Sequence, residues 1–191
     1  MFTQGSWLNP PENWSADGAQ LRVTTDANTD FWRKTSYGFI RDSGHFFGTQ
    51  IDGDFTAQVQ VSAQYASLYD QAGLMVRIDA ENWIKCGVEF SDGQLLLSTV
   101  LTVDKSDWAV SVAPPMPDGF WLRVTVAQGV IRVQYSTDGK LWPLLRLAAF
   151  PVAARYLAGP MCCTPERGGL EVVFSHFNHG PALQKDLHDL S

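Results

Sequence analysis

The stretch LYDQAGLMVRIDAENWIKCGVEFSDG, residues 68–93, alternates residue by residue on both sides of one tight turn. Ala72, Leu74, Val76 and Ile78 share one side of the first arm, and Ile84, Cys86, Val88 and Phe90 share one side of the second. Successive side chains of a β-strand point to opposite faces, so this period of two predicts two paired strands. For the apolar sets to share a face, paired residue numbers must sum to an even value. A sum of 162, for instance, leaves Ala80-Glu81-Asn82 as the loop. Every such register puts Gln71, Met75, Arg77, Asp79, Trp83, Lys85 and Glu89 together on the opposite face. An ordinary solvent face carries Lys, Glu and Thr. This mixture of indole, thioether, cations and acids is the kind found where a concave surface grips a polar ligand.

Outward from this hairpin the same period continues. In GDFTAQVQVSA, residues 53–63, Phe55, Ala57, Val59, Val61 and Ala63 alternate with Thr56, Gln58, Gln60 and Ser62, a strand with one wet face. In FWLRVTVAQGVIRVQYSTDGKLW, residues 120–142, the turn Gln128-Gly129 predicts a hairpin pairing Val126 with Ile131, Val124 with Val133 and Leu122 with Tyr135. A second turn at Ser136-Thr137-Asp138-Gly139 leads into LWPLLRLAAF, where Pro143 marks an edge or a bulge. Similar runs near residues 20–24, 36–40, 45–50, 95–103, 107–113, 156–162 and 170–177 bring the total to about a dozen strands. Only the tail ALQKDLHDL has helical spacing, and a short docking helix or a frayed end is expected there. A dozen antiparallel strands without a helical layer predict an all-β jelly-roll sandwich of two sheets. With no linker, repeat or low-complexity tract, residues 1–191 are expected to form one domain.

Bulk composition narrows the partners. The chain has 14 Lys plus Arg against 20 Asp plus Glu, a formal charge of −6, and no basic run that could follow a phosphate backbone. Nucleic acid is not an expected partner. No apolar stretch approaches a membrane span, and the start MFTQGSWLNPPENW lacks a charged segment followed by an apolar one, so the expected location is cytoplasmic. Without a leader, the Asn13-Trp14-Ser15 sequon carries no weight. Three cysteines cannot form an even disulfide framework, and the adjacent Cys162 and Cys163 lack metal spacing; Cys86 alternates into the apolar face as a buried thiol. Asp52-Gly53-Asp54 offers too few oxygen donors for calcium, so neither a metal nor a cofactor is expected. Phosphate loops, nucleophile elbows and zinc-protease strings are absent from the sequence.

Sugars need a flat aromatic for their C–H faces and paired donors or acceptors for adjacent hydroxyls. Arg77, Lys85 and Glu89 could address the polar groups, with Trp32, Trp83 and Trp108, among seven indoles, as stacking surface. The competing reading is a solvated charge ladder in which Arg77 and Glu89 neutralise each other and Trp83 covers the sheet edge. His45 follows Asp42 by three residues in a Gly-containing turn, which suits either an acid–base imidazole or a histidine bonded to backbone.

The strings NPPENW (9–14), TDFWRKTSYGFIRDSGHFF (29–47), LYDQAGLMVRIDAENWIKCGVEF (68–90), SDW (106–108) and RLAAF (146–150) resemble the domain of unknown function 1349 family, found in bacteria and in fungal proteins named for enolase regulation. The resemblance runs from about Trp7 to Phe177. It implies a concanavalin A-like jelly roll, similar to lectins and glucanases whose relatives often bind glycans on the concave face. Positions matching the family's polar motifs add Asp30, Arg33, Asp42, His45, Tyr69, Asp70, Gln71, Ser106 and Asp107 to the residues expected around that face, beside Trp32, Arg77, Lys85, Glu89 and Trp108. The E-x-D-x-x-E and E-x-D-x-E strings of laminarinase-type glucanases occur at none of Glu12, Glu81, Glu89, Glu166 and Glu171, so that mechanism does not transfer. Three functions stay open: binding of a carbohydrate or small polar ligand, a glycan-processing reaction using His45, Asp70 or Glu89 as acid and base, and docking of a protein partner on the same face.

Overall fold

The computed structural model describes residues 2–116 and 119–191. In chain order its strands are β1 (Ser6–Leu8), β2 (Asn13–Ala16), β3 (Gln20–Thr24), β4 (Phe31–Arg33), β5 (Ile40–Asp42), β6 (His45–Asp52), β7 (Phe55–Ala63) and β8 (Gln71–Arg77). They continue as β9 (Asn82–Ser91), β10 (Gln94–Val103), β11 (Lys105–Val112), β12 (Phe120–Ala127), β13 (Val130–Ser136), β14 (Leu144–Ala149), β15 (Arg155–Cys163) and β16 (Glu171–Pro181). Sheet A has the order β1-β6-β15-β8-β9-β10-β11 and sheet B the order β14-β13-β12-β7-β16-β3-β2, all antiparallel. This is the expected two-sheet all-β sandwich, and no helix occurs among the described residues.

The inner faces interdigitate as the alternation predicts. From sheet A, Leu74, Val76, Ile84 and Val88 meet Ala57, Val59, Val61, Leu122, Val124 and Phe174 of sheet B, all essentially without solvent contact. Each fully buried aliphatic or aromatic side chain of this kind contributes about 1.5–3 kcal/mol of transfer free energy. The β12–β13 hairpin keeps the expected register, Val126↔Ile131, Val124↔Val133 and Leu122↔Tyr135, with Gln128 and Gly129 both at positive φ. β14 lies at a sheet edge, and its ladder slips between Val133 and Gln134, beside the proline that forecast an edge or bulge.

One open reading is made definite and three expectations change. The β8–β9 ladder runs from Gln71↔Glu89 to Arg77↔Trp83, a sum of 160, because the Asp79 carboxylate accepts the Glu81 and Asn82 N–H groups at 2.7 and 2.9 Å and closes a longer turn. Parity is kept, so the faces are as read. Residues 36–39 form a turn rather than a strand, with Lys34, Ser36 and Gly38 at positive φ. The tail is irregular instead of helical: Arg132 donates to the Lys185 carbonyl at 3.0 Å and Leu190 accepts the Trp142 N–H at 2.8 Å. Arg132, on β13, captures a carbonyl that a nine-residue helix, too short to repay its nucleation, would otherwise use. Finally, the polar face of β8 and β9 is not wet.

That face is roofed by the β4–β5 hairpin. Phe31 and Trp32 descend onto Met75, Trp83, Phe46, Val100, Met161 and Cys163, forming a second apolar cluster on the outer side of sheet A. The charges beneath the roof are answered by charges on it. Arg77, 7% exposed, donates to both Asp42 carboxylate oxygens at 2.7 and 2.8 Å, and Lys85 reaches Asp30 at 3.2 Å. Arg33 donates to Glu81 at 2.7 Å and to the Asp104 carbonyl at 3.1 Å, while its own N–H meets Ser106 Oγ at 2.9 Å. The charge ladder of Arg77 with Glu89 does not form; Arg77 is neutralised across the gap by the roof.

Removing one partner of such a pair leaves a buried charge unanswered. Asp42→Ala is expected to lower the unfolding free energy by about 2–4 kcal/mol in urea titration, whereas Arg77→Leu/Asp42→Leu loses distinctly less than the two single changes together. Additive losses would show that the pair is solvated.

Candidate functional site

Where the roof stops short of the sheet, a cavity of about 200 Å³ remains. Its floor is β9 and its neighbour: Lys85, Glu89 and, opposite Glu89 in the ladder, Gln71. Its walls are aromatic. Trp32 stands edge-on to Trp108, centroids 6.5 Å apart at 87°, and edge-on to Tyr37 at 5.7 Å. Tyr37 stacks on Phe39 at 5.3 Å and 13°. Tyr69 closes the remaining side from the loop before β8, where it holds positive φ, and Glu166 stands exposed at the mouth.

The polar groups are held in a fixed order. Trp108 Nε1 donates to Ser98 Oγ at 3.1 Å, and Ser98 passes its own proton to Glu89 Oε2 at 2.8 Å. Indole can only donate, so the direction of this relay is set. Asp30 is held by the Phe31 N–H at 2.7 Å while it pairs with Lys85. Trp32 Nε1 is spent on the Thr35 carbonyl at 2.9 Å, and Gln71 Nε2 on the Tyr69 carbonyl at 3.2 Å. Burial raises the Glu89 carboxyl above the usual range; the Lys85 ammonium and the Ser98 hydroxyl oppose this without cancelling it. For Lys85, burial works against the charge, but Asp30, Cys163 and Glu89 outweigh it and the pKa rises. A side-chain hydrogen bond with Tyr37, with burial in support, pushes Tyr69 up to about 12, so it stays a neutral phenol at physiological pH. Among the described residues no cluster of three or more His, Cys, Asp or Glu side chains could hold a metal ion.

Of the residues singled out in the sequence, Trp32, Tyr69, Gln71, Lys85, Glu89 and Trp108 line this one cavity, together with Asp30. The others lie elsewhere. Trp83 is 1% exposed, packed at 6.1 Å from Phe31 with its Nε1 on the Ala80 carbonyl, and offers no stacking face. Arg33 and Arg77 anchor the roof. His45 is 2% exposed; its Nε2 accepts the Asp26 N–H at 3.0 Å and its Nδ1 meets the Asn9 carbonyl at 2.8 Å, so both nitrogens serve the backbone and neither is free for acid–base work. Asp70, wholly buried, is bound by Arg167 at 3.0 and 3.1 Å and by the Ala66 and Ser67 N–H groups. Burial resists its charge, but these partners prevail and hold its carboxyl below the ordinary range. It positions the loop that carries Tyr69. Asp107 lies on the opposite side of β11 from Trp108, exposed and paired with Arg146 at 3.1 Å.

Tyr37, Phe39, Ser98 and Glu166 were not selected from the sequence. The string YGF carries a signal, two aromatics flanking a glycine, but its place in a run expected as a strand at 36–40 hides the turn that brings both rings to the cavity. Ser98 lies in an ordinary alternating run, and only the fold brings Glu166, between β15 and β16, beside β9.

The raised Glu89 carboxyl gives stability a sign. The folded protein holds this proton more tightly than the unfolded chain, so the contribution is full below the ordinary 4.5 and is lost as pH rises through the folded value. Asp70 acts oppositely, contributing above 3.8 and losing its contribution as pH falls. Glu89→Gln is therefore expected to flatten the decline in unfolding free energy on the alkaline side of 4.5 in a pH series of urea titrations, leaving the acid limb unchanged. An unchanged alkaline slope contradicts the assignment.

"Regulation of enolase protein 1" of Saccharomyces cerevisiae is 56% identical over 190 residues, covering 100% of this chain and 96% of the relative. Among solved structures, the GH43 protein BlXynB mutant (K247S) from Bacillus licheniformis superposes with a TM-score of 0.70 at 14% identity, over 94% of this chain and 37% of that one. The carbohydrate binding module CBM66 from Bacillus subtilis superposes with a TM-score of 0.57 at 14% identity, over 93% of this chain and 96% of that one. These two likenesses establish the jelly-roll architecture. The family described as "Protein of unknown function (DUF1349)" matches residues 7–182, and the chain belongs to it.

Proposed function

We propose that this protein binds a carbohydrate or polyol-like ligand in the cavity between the roof hairpin and sheet A. The observation that carries the reading is the union, in one hollow, of aromatic walls with groups able to accept hydrogen bonds from hydroxyls: the buried Glu89 and Gln71 carbonyl and the half-buried Asp30. Apolar C–H faces of a sugar stack on rings while its hydroxyls need acceptors in fixed positions, and a solvent face supplies neither. The volume is smaller than the roughly 300–1,000 Å³ of sites enclosing drug-sized ligands, which favours a single ring or the end residue of a longer glycan. A carbohydrate binding module shares the fold, but fold kinship alone leaves function open, so the cavity's chemistry bears the weight.

Trp108, 38% exposed on the edge strand, can be removed without opening the core. Calorimetric titration with a panel of mono- and oligosaccharides is expected to find a binder whose affinity falls about tenfold in Trp108→Ala, the loss of one stacking contact. No binding across the panel, or an affinity indifferent to Trp108→Ala, would remove the proposal.

A second reading, glycan processing, draws on one observation: two carboxyl groups, Glu89 and Asp30, line the same cavity, and burial holds the Glu89 proton above the usual range as a general acid requires. Turnover of an aryl glycoside that disappears in Glu89→Gln while binding persists would select it over binding alone.

A further inference from the structure

The cavity lining is lopsided in charge. Both indole donors are committed, Trp32 to the Thr35 carbonyl and Trp108 to Ser98, and one Gln71 amide N–H to the Tyr69 carbonyl. Lys85, the one cation among the described lining side chains, is held by Asp30 at 3.2 Å. Donors remain in the second Gln71 N–H, further Lys85 protons and the Tyr37–Tyr69 phenol pair, but the charge is one-sided: the rest of the Glu89 and Asp30 carboxyl groups and Glu166 at the mouth, which makes no hydrogen bond or ion pair among the described residues, face the cavity. Three carboxyl groups thus face one already answered ammonium. The surrounding ring faces carry negative quadrupole potential, which attracts a cation and disfavours an anion, more strongly where water is scarce. A carboxylate ligand would have to draw Lys85 away from Asp30 while approaching Glu89.

Building on the carbohydrate reading above, we infer that the preferred ligand carries a protonated amine, so that its class is an amino sugar rather than a neutral sugar or a uronate. An ammonium group brings a positive charge and three donors, which answer the excess of carboxyl groups over cations on the lining. Its charge is met by Glu89 and Asp30 and its ring by Trp32 and Trp108. Glu166 draws it to the mouth, in keeping with the −6 charge of the chain.

The test is calorimetric titration at about pH 6.5, where sugar amines are largely protonated. The probes are the matched pairs glucose and glucosamine, galactose and galactosamine, and mannose and mannosamine, with glucuronate and N-acetylglucosamine as charge controls. In at least one pair the amine is expected to bind about tenfold more tightly than its neutral parent, with glucuronate and the acetylated amine showing no such gain. Glu89→Gln is expected to cut the amine preference to about threefold or less while altering the neutral parent's affinity far less. Should Glu89→Gln fail to fold by its thermal melt, Glu166→Gln, exposed at the mouth, gives the second readout: a fall of about two- to threefold in the amine preference alone. Neutral sugars binding as tightly as their amines, or glucuronate binding more tightly than glucose, overturns the amine inference and leaves the carbohydrate reading standing. Absence of binding by every sugar overturns both.

Discussion

Buried ion pairs between one sheet face and the hairpin above it are the constraint on which the rest of the molecule depends. Arg77 and Lys85 sit on strands whose other faces form the sandwich core, so their side chains must point outward, and each would be costly to bury alone. Asp42 and Asp30, both on the roof segment, make that burial tolerable by meeting them at hydrogen-bond distance. The apolar residues of the roof supply the driving force: Phe31 and Trp32 close over Met75 and Trp83, and the ion pairs determine where they come to rest. A purely apolar interface would permit sliding. Two charge pairs at the open end of the hairpin, with Arg33 on Glu81 near its turn end, do not, and the cavity opens beside the Asp30–Lys85 pair.

This arrangement also explains the chemistry inside it. Asp30 serves twice, anchoring the roof and holding Lys85, so the cavity's cation is neutralised by the same contact that positions its wall. Glu89 has no arginine to answer it and shares Lys85 only at a distance, which is why burial prevails and its carboxyl lies above the usual range. Ser98 and Trp108 fix its orientation through a relay from the edge strand. Ligand groups therefore meet preorganised acceptors instead of mobile side chains.

Much of the fold was legible in the sequence because strands impose a period of two. The β12–β13 register followed from Gln128-Gly129, and the edge character of β14 from Pro143. The β8–β9 faces follow from parity alone, which the observed sum of 160 satisfies. The site was less legible, for a physical reason. Alternation separates two faces but does not say which polar-looking face is covered, since coverage is a long-range contact of residues 29–44 with residues 71–108. Trp83 and Arg77 looked like ligand contacts and are instead the underside and the clasp of the roof. His45 and Asp70 looked like acid–base groups because their residue types are; their positions are fixed by backbone partners that no local pattern reveals. Resemblance to the family brought out the right strings without distinguishing residues that build the cavity from residues that face it.

The measurement that bears most directly on this account is amide hydrogen exchange across the roof at neutral pH. In the wild type, the backbone amides of Phe31–Arg33 and Ile40–Asp42 that pair within the hairpin are expected to exchange slowly, as paired and covered strands do. In Asp42→Ala their protection should drop sharply while the β8 and β9 amides, held in the sandwich, stay protected. A roof whose exchange is unaffected by losing Asp42 would mean that the ion pairs do not hold it, and that the cavity owes its shape to something else.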